Sequence, residues 1–218
     1  MSNQKQEVKE AVLAALAEHA DKTFESVGFQ RRANSLRFDR KLPECLQSVE
    51  VCIEHTPKDN PNAAAAVYPW LTVSIPKVDR IAVDMTGGDA TLLSPTSTTL
   101  HQPIEFTSPK GTSARWYLYQ PDSVIAAVRD FEAYATRWLF EFLDEYSNAE
   151  GVIAMNRNGD ERVLHDQDQF LRVIAALIGS GEHDAANEML LAKFARPAMR
   201  RRFAPVFEFL ERLSSASG

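Results

Sequence analysis

Residues 121–146, PDSVIAAVRDFEAYATRWLFEFLDEY, carry an unbroken helical period. Val124, Val128, Phe131, Ala135, Trp138 and Phe142 advance in steps of four and three, which on a helix stacks them along one face. Ile125, Leu139 and Leu143 widen that face, and Asp130, Glu132, Arg137, Glu141 and Asp144 fill the opposite one. The spacing predicts one long amphipathic helix, with Pro121 in its first turn and Asp122 or Ser123 as cap. Trp138 falls in the middle of the stripe, where sheet, helix and C-terminal elements are expected to meet.

Before this helix the dominant period is two. An Ala-rich helix is expected over residues 5–26, stopped by Gly28. Leu36 and Phe38 then alternate with Arg37 and Asp39, and Val49, Val51 and Ile53 alternate with Glu50, Cys52 and Glu54. Leu71, Val73 and Ile75 repeat the pattern, and Pro76 ends it. Ile81, Val83 and Met85 read as a further strand, turned by Gly87 and Gly88, and Trp116 and Leu118 alternate with Tyr117 and Tyr119. Connections this short require antiparallel pairing. Residues 89–113, rich in Ser, Thr and Pro, read as a long loop with room for a short strand at 91–93 or 104–106.

After the helix, Asn158-Gly159 between VIAM and RVL signals a small hairpin, because both central turn residues take positive φ. Three helices should follow: one capped by Asp166, one ending before Pro197, and a last one kinked at Pro205. The expected architecture is α+β. It comprises an N-terminal helix, an antiparallel sheet of four to six strands, a long packing helix and a helical C-terminal third. Residues 1–148 form the α+β domain in this reading, and 149–218 a hairpin plus three-helix extension.

The chain has 218 residues, 44% apolar and 25% charged, as ordinary globular proteins do. No apolar run reaches membrane-spanning length, and MSNQKQEVKE lacks a signal peptide's apolar core, so the expected location is cytoplasmic, with no membrane association. Cys45 and Cys52 are too few for a disulfide framework. Net charge is −6 and uneven: residues 122–188 hold 5 Lys and Arg against 14 Asp and Glu, whereas residues 193–212 hold 6 against 2. That distribution speaks against general nucleic-acid binding and suits a basic protein partner.

Several chemistries find no support. Phosphate-cradling glycine motifs and the GxSxG elbow are absent. The five histidines, His19, His55, His101, His165 and His183, form no i, i+4 pair and no HExxH. On the strand pattern, Cys52 and Glu54 share a face with His55 opposite, so they do not converge on a metal. No cofactor and no catalytic or metal-binding residue is expected.

Two surfaces remain. Partner binding is expected at the acidic residues Glu141, Asp144, Glu145, Asp160, Glu161, Asp166 and Asp168, although Asp166 and Asp168 also suit a helix cap and a first-turn dipole partner. Tyr68, Trp70, Tyr117 and Tyr119 lie opposite the apolar face of the sheet; they are either packed beneath the C-terminal helices, the reading preferred here, or exposed as a recognition patch.

Gly28, Phe29, Arg31 and Arg32, with Asn34, Phe38 and Arg40 in the next strand, resemble a pattern in small uncharacterised bacterial α+β proteins. These place a helix before a GF-x-R turn and an antiparallel sheet, and they are similar to toxin-immunity and accessory proteins. The resemblance covers residues 5–146 and implies binding rather than catalysis. The expected function is a non-enzymatic bacterial protein-binding protein, in its concrete form an immunity protein that neutralises a basic toxin. Two alternatives stand beside it: a small-ligand binder or enzyme with a pocket between sheet and long helix, using His55, His101 or Tyr119, and a homo-oligomeric adaptor, possible as a homodimer.

Overall fold

The computed structural model describes residues 2–94, 98–109 and 112–216. It has α1 (Ser2–His19), α2 (Asp21–Ser26), β1 (Gln30–Arg31), β2 (Arg37–Lys41), β3 (Leu46–His55) and β4 (Ala65–Ser74), followed by α3 (Pro76–Met85) and β5 (Leu100–Pro103). A 3-10 turn (Ile104–Thr107) leads to β6 (Trp116–Leu118) and then to α4 (Pro121–Tyr134), a π turn (Ala135–Leu139) and α5 (Phe140–Glu145). The remainder is helical: α6 (Ala149–Arg157), α7 (Gln167–Gly179), α8 (His183–Phe194), α9 (Pro197–Arg202) and α10 (Ala204–Ala216). The fold is α+β with a six-stranded antiparallel sheet, as the periods of two and 3.6 require.

The sheet runs β1-β2-β3-β4-β5, with β6 paired to the first part of β4 through Ala65↔Leu118, Ala66↔Tyr117 and Val67↔Trp116. The chain divides into two compact units, residues 1–72 with 101–144, and residues 73–100 with 145–218. In the first unit α1 packs on α4, and the core is built from rings. Phe24 stacks on Phe38 at 4.1 Å between centroids and meets Phe140 at 4.9 Å and Phe131 at 5.4 Å. The strand alternation holds: Phe38, Val49, Val51 and Leu71 are buried. In the second unit α3, α6 and α8 each pack on α7, whose face from Leu171 to Leu177 is wholly buried.

The long helix departs from its simple stripe. The π turn inserts one extra residue, so the buried face passes from Ala135 to Leu139 and on to Phe142, Leu143 and Tyr146. Trp138 is thereby rotated off the stripe and is half-buried, with the Arg137 guanidinium 4.7 Å above its ring. Ile125 is 42% exposed rather than packed. The helix begins with Gln120 as its cap residue, whose N–H donates to Ser123 Oγ at 3.1 Å.

Three expected elements are different in the structure. Ile81, Val83 and Met85 are not in a strand: Pro76 opens a helix, and the buried set is Val78, Ala82 and Met85, at helical steps of four and three. The hairpin at 158–159 is a helix end. Asn158 closes α6 and Gly159 takes φ 63°, with Gly159 N–H bonding Asn156 O and Asp160 N–H bonding Met155 O. Positive φ serves a helix C-terminus as well as a hairpin, and here the helix wins. Within residues 89–113, the strand lies at Leu100–Pro103, and 104–106 belong to the 3-10 turn.

Candidate functional site

The residues of the GF-x-R pattern are engaged in local structure. Gly28, at φ 90°, lets Phe29 N–H reach Phe24 O and sets the two rings edge to face at 5.7 Å. Arg31 clamps Asp21 with two hydrogen bonds of 2.8 and 2.7 Å. Arg40 points inward from β2, 6% exposed; it donates to Gln47, Val27 O and Asp144, and lies 4.8 Å over Phe29. An inward arginine among phenylalanines needs these acceptors, since burial of an unpaired charge is costly.

The expected acidic residues are likewise placed, mostly in pairs. In the first unit Glu141 is exposed and Asp144 accepts from Arg40 at 2.6 Å. In the second, Arg162 binds both Glu145, at 2.5 Å, and Asp160, at 2.7 Å. Asp166 caps α7 through Gln169 N–H at 2.8 Å, and Glu161 and Asp168 are exposed. Arg40 thus answers Asp144, Arg162 answers Glu145 and Asp160, and the α7 N-terminus answers Asp166.

The other sequence-level candidate develops further. The face of the sheet opposite the phenylalanine core carries Tyr68 and Trp70 from β4, Tyr117 from β6 and His101 from β5. Tyr68, Trp70 and Tyr117 are half-buried, and Tyr119 just beyond β6 is 53% exposed, so the expected full burial does not occur. Trp116, one residue away, turns inward onto Phe131 and Tyr134, as strand alternation demands.

Arg115, which the sequence reading passed over, organises this face. Its guanidinium lies 5.3 Å from the Tyr68 centroid and 5.7 Å from that of Tyr117. Its Nη2 binds Glu54 of β3 and, at 3.3 Å, Asp59 of the β3–β4 loop. Tyr117 donates to Asp59 at 2.6 Å; this bond lowers the carboxyl pKa and raises that of the phenol. Asn60 donates to the Tyr119 hydroxyl at 2.6 Å. Beside them His101 stacks on Trp70 at 4.7 Å, held by Thr72 at 2.9 Å. Burial, then the neighbouring Glu50, push the Cys52 thiol upward, away from thiolate reactivity. No disulfide joins it to Cys45.

His55, His101 and Tyr119 are joined to one another by no hydrogen bond or ring contact among the described residues, and no group of three or more His, Cys, Asp or Glu there could hold a metal ion. No helix among the described residues is long and apolar enough to cross a membrane.

A second polar concentration lies inside the second unit. Asp79 of α3 accepts from Arg172 of α7 at 3.0 Å, from Thr99 at 2.8 Å and from Ser74 at 2.6 Å. Tyr146 accepts from Gln169 nearby in the chain order of α7. Burial raises the Asp79 pKa and lowers that of Arg172, the expected signs for charges taken out of water. Comparison with protein-family models, curated proteins and solved structures finds no match.

Proposed function

We propose that this chain is a non-enzymatic bacterial protein-binding protein, cytoplasmic, and that its partner surface is the outer face of the sheet. The supporting observation is the set Tyr68, Trp70, Tyr117 and Tyr119, none of them buried, with Arg115 lying against the rings of Tyr68 and Tyr117. Tyrosine and tryptophan are enriched at the energetic centres of protein interfaces, because they bring large rigid area and a polar group together. Glu50, Glu54 and Asp59 on and beside this face favour a basic partner, with an immunity protein facing a basic toxin as the concrete form.

Co-expression with the product of the adjacent gene, followed by gel filtration, tests this directly. The expected result is a stable 1:1 complex that suppresses that product's toxicity. Separate elution of the two proteins would remove the immunity reading.

A further inference from the structure

We propose that the set Tyr68, Tyr117, Glu54 and Asp59 is a receptor for a guanidinium side chain of the partner, and that Arg115 occupies it as a stand-in in the free chain. This rests on the protein-binding reading and names the chemistry the face selects. The frame is assembled from four separate places: Glu54 on β3, Asp59 on the loop after it, Tyr68 on β4 and Tyr117 on β6. Two carboxylates and two aromatic faces around one site form the environment a planar cation requires, in which stacking and ion pairing add.

Arg115 fits this frame incompletely. It reaches both carboxylates through the same nitrogen, Nη2, and its Nε–H is buried without an acceptor. Two carboxylates face one guanidinium, leaving a net negative charge. Residues 112–115 have no regular secondary structure, and Arg115, Glu54 and Asp59 are 28%, 36% and 51% exposed, so the occupant sits at the solvent boundary. A guanidinium arriving on another chain is free to align its fork with a carboxylate, which a side chain tethered at the start of β6 is not.

The consequence runs against ordinary alanine scanning: Arg115→Ala should strengthen binding. N-acetyl-arginine methylamide is titrated into wild type and Arg115→Ala, with tyrosine ring NMR shifts as the readout. The expected result is at least roughly tenfold tighter binding to the variant, or about 1.4 kcal/mol. The neutral citrulline analogue should not bind, and adding Glu54→Gln and Asp59→Asn should abolish the gain. Arg115→Gln, which retains most of the stem, serves if Arg115→Ala does not fold. Equal binding to wild type and variants, or equal binding of citrulline, overturns the receptor. The affinity of the same variants for the adjacent gene's product separates the two levels. An intact complex with no arginine effect removes the receptor alone, whereas no complex removes the protein-binding reading in its immunity form.

Discussion

Arg172 and Asp79 meet at 3.0 Å between α7 and α3, and Arg172 is only 2% exposed. The guanidinium is cut off from water, and Asp79 is its carboxylate partner, itself steadied by Ser74 and Thr99. Asp79→Ala should destabilise the second unit by about 3–5 kcal/mol by removing the carboxylate that faces the buried guanidinium. The double variant Asp79→Leu with Arg172→Met should recover most of that loss. Urea unfolding of the two single variants and the double variant measures the coupling; additive losses would mean that the pair contributes no mutual stabilisation.

Leu139, fully buried, carries the helix stripe through the π turn, and Trp138 does not. Leu139→Ala should therefore cost about 2–5 kcal/mol. Trp138→Ala should cost less, about 1–2 kcal/mol, since its ring lies off the buried stripe and is only partly buried. The order of the two losses in thermal unfolding is the test, and a larger loss at Trp138 would contradict the π-turn account.

Asp166 accepts the Gln169 N–H at the start of α7. Asp166→Ala should cost about 1 kcal/mol of stability as a lost cap, and Asp166→Ser should restore most of it. Affinity for a protein partner should be unchanged in both variants, which distinguishes a cap from a contact residue.

Tyr146 is fully buried, and burial drives its pKa well above the ordinary tyrosine value. The unfolded chain has the lower pKa, near 10, so this tyrosine's contribution is fully present below that pH and is lost as pH rises beyond it. Alkaline titration at 295 nm should show the Tyr146 absorbance appearing only with unfolding, and Tyr146→Phe should lack that step. Ionisation of Tyr146 in a protein still folded by circular dichroism would contradict the burial.

The elements with strong periods were legible: the sheet alternation at Phe38, Val49, Val51 and Leu71, the Gly28 stop and the Asp166 cap each follow from one local rule. The failures share a cause. Ile81, Val83 and Met85 satisfy period two, but Val78, Ala82 and Met85 satisfy helical spacing, and a proline at the first helical position favours the latter. Asn158-Gly159 supplies positive φ, which ends a helix and turns a hairpin equally well. The π turn has no composition signal at all. At the candidate site, Tyr68, Trp70, Tyr117 and Tyr119 could be assigned to a face by alternation alone. Arg115, Asp59 and the Asp79–Arg172 pair could not, because each joins segments far apart in the chain, brought together by strand pairing around Arg115 and by packing of α3 on α7 at Asp79 and Arg172.

The outer sheet face, rather than the acidic residues of the long helix, is the surface proposed to bind the partner. Calorimetric titration of the adjacent gene's product with Trp70→Ala, Tyr68→Ala and Glu141→Lys separates these surfaces. Each aromatic variant should lose at least roughly tenfold in affinity, in line with interface centres of about 1–2 kcal/mol or more, while Glu141→Lys changes it less than about threefold. Full affinity in Trp70→Ala and Tyr68→Ala together with loss in Glu141→Lys would contradict the account and move the partner to the long helix.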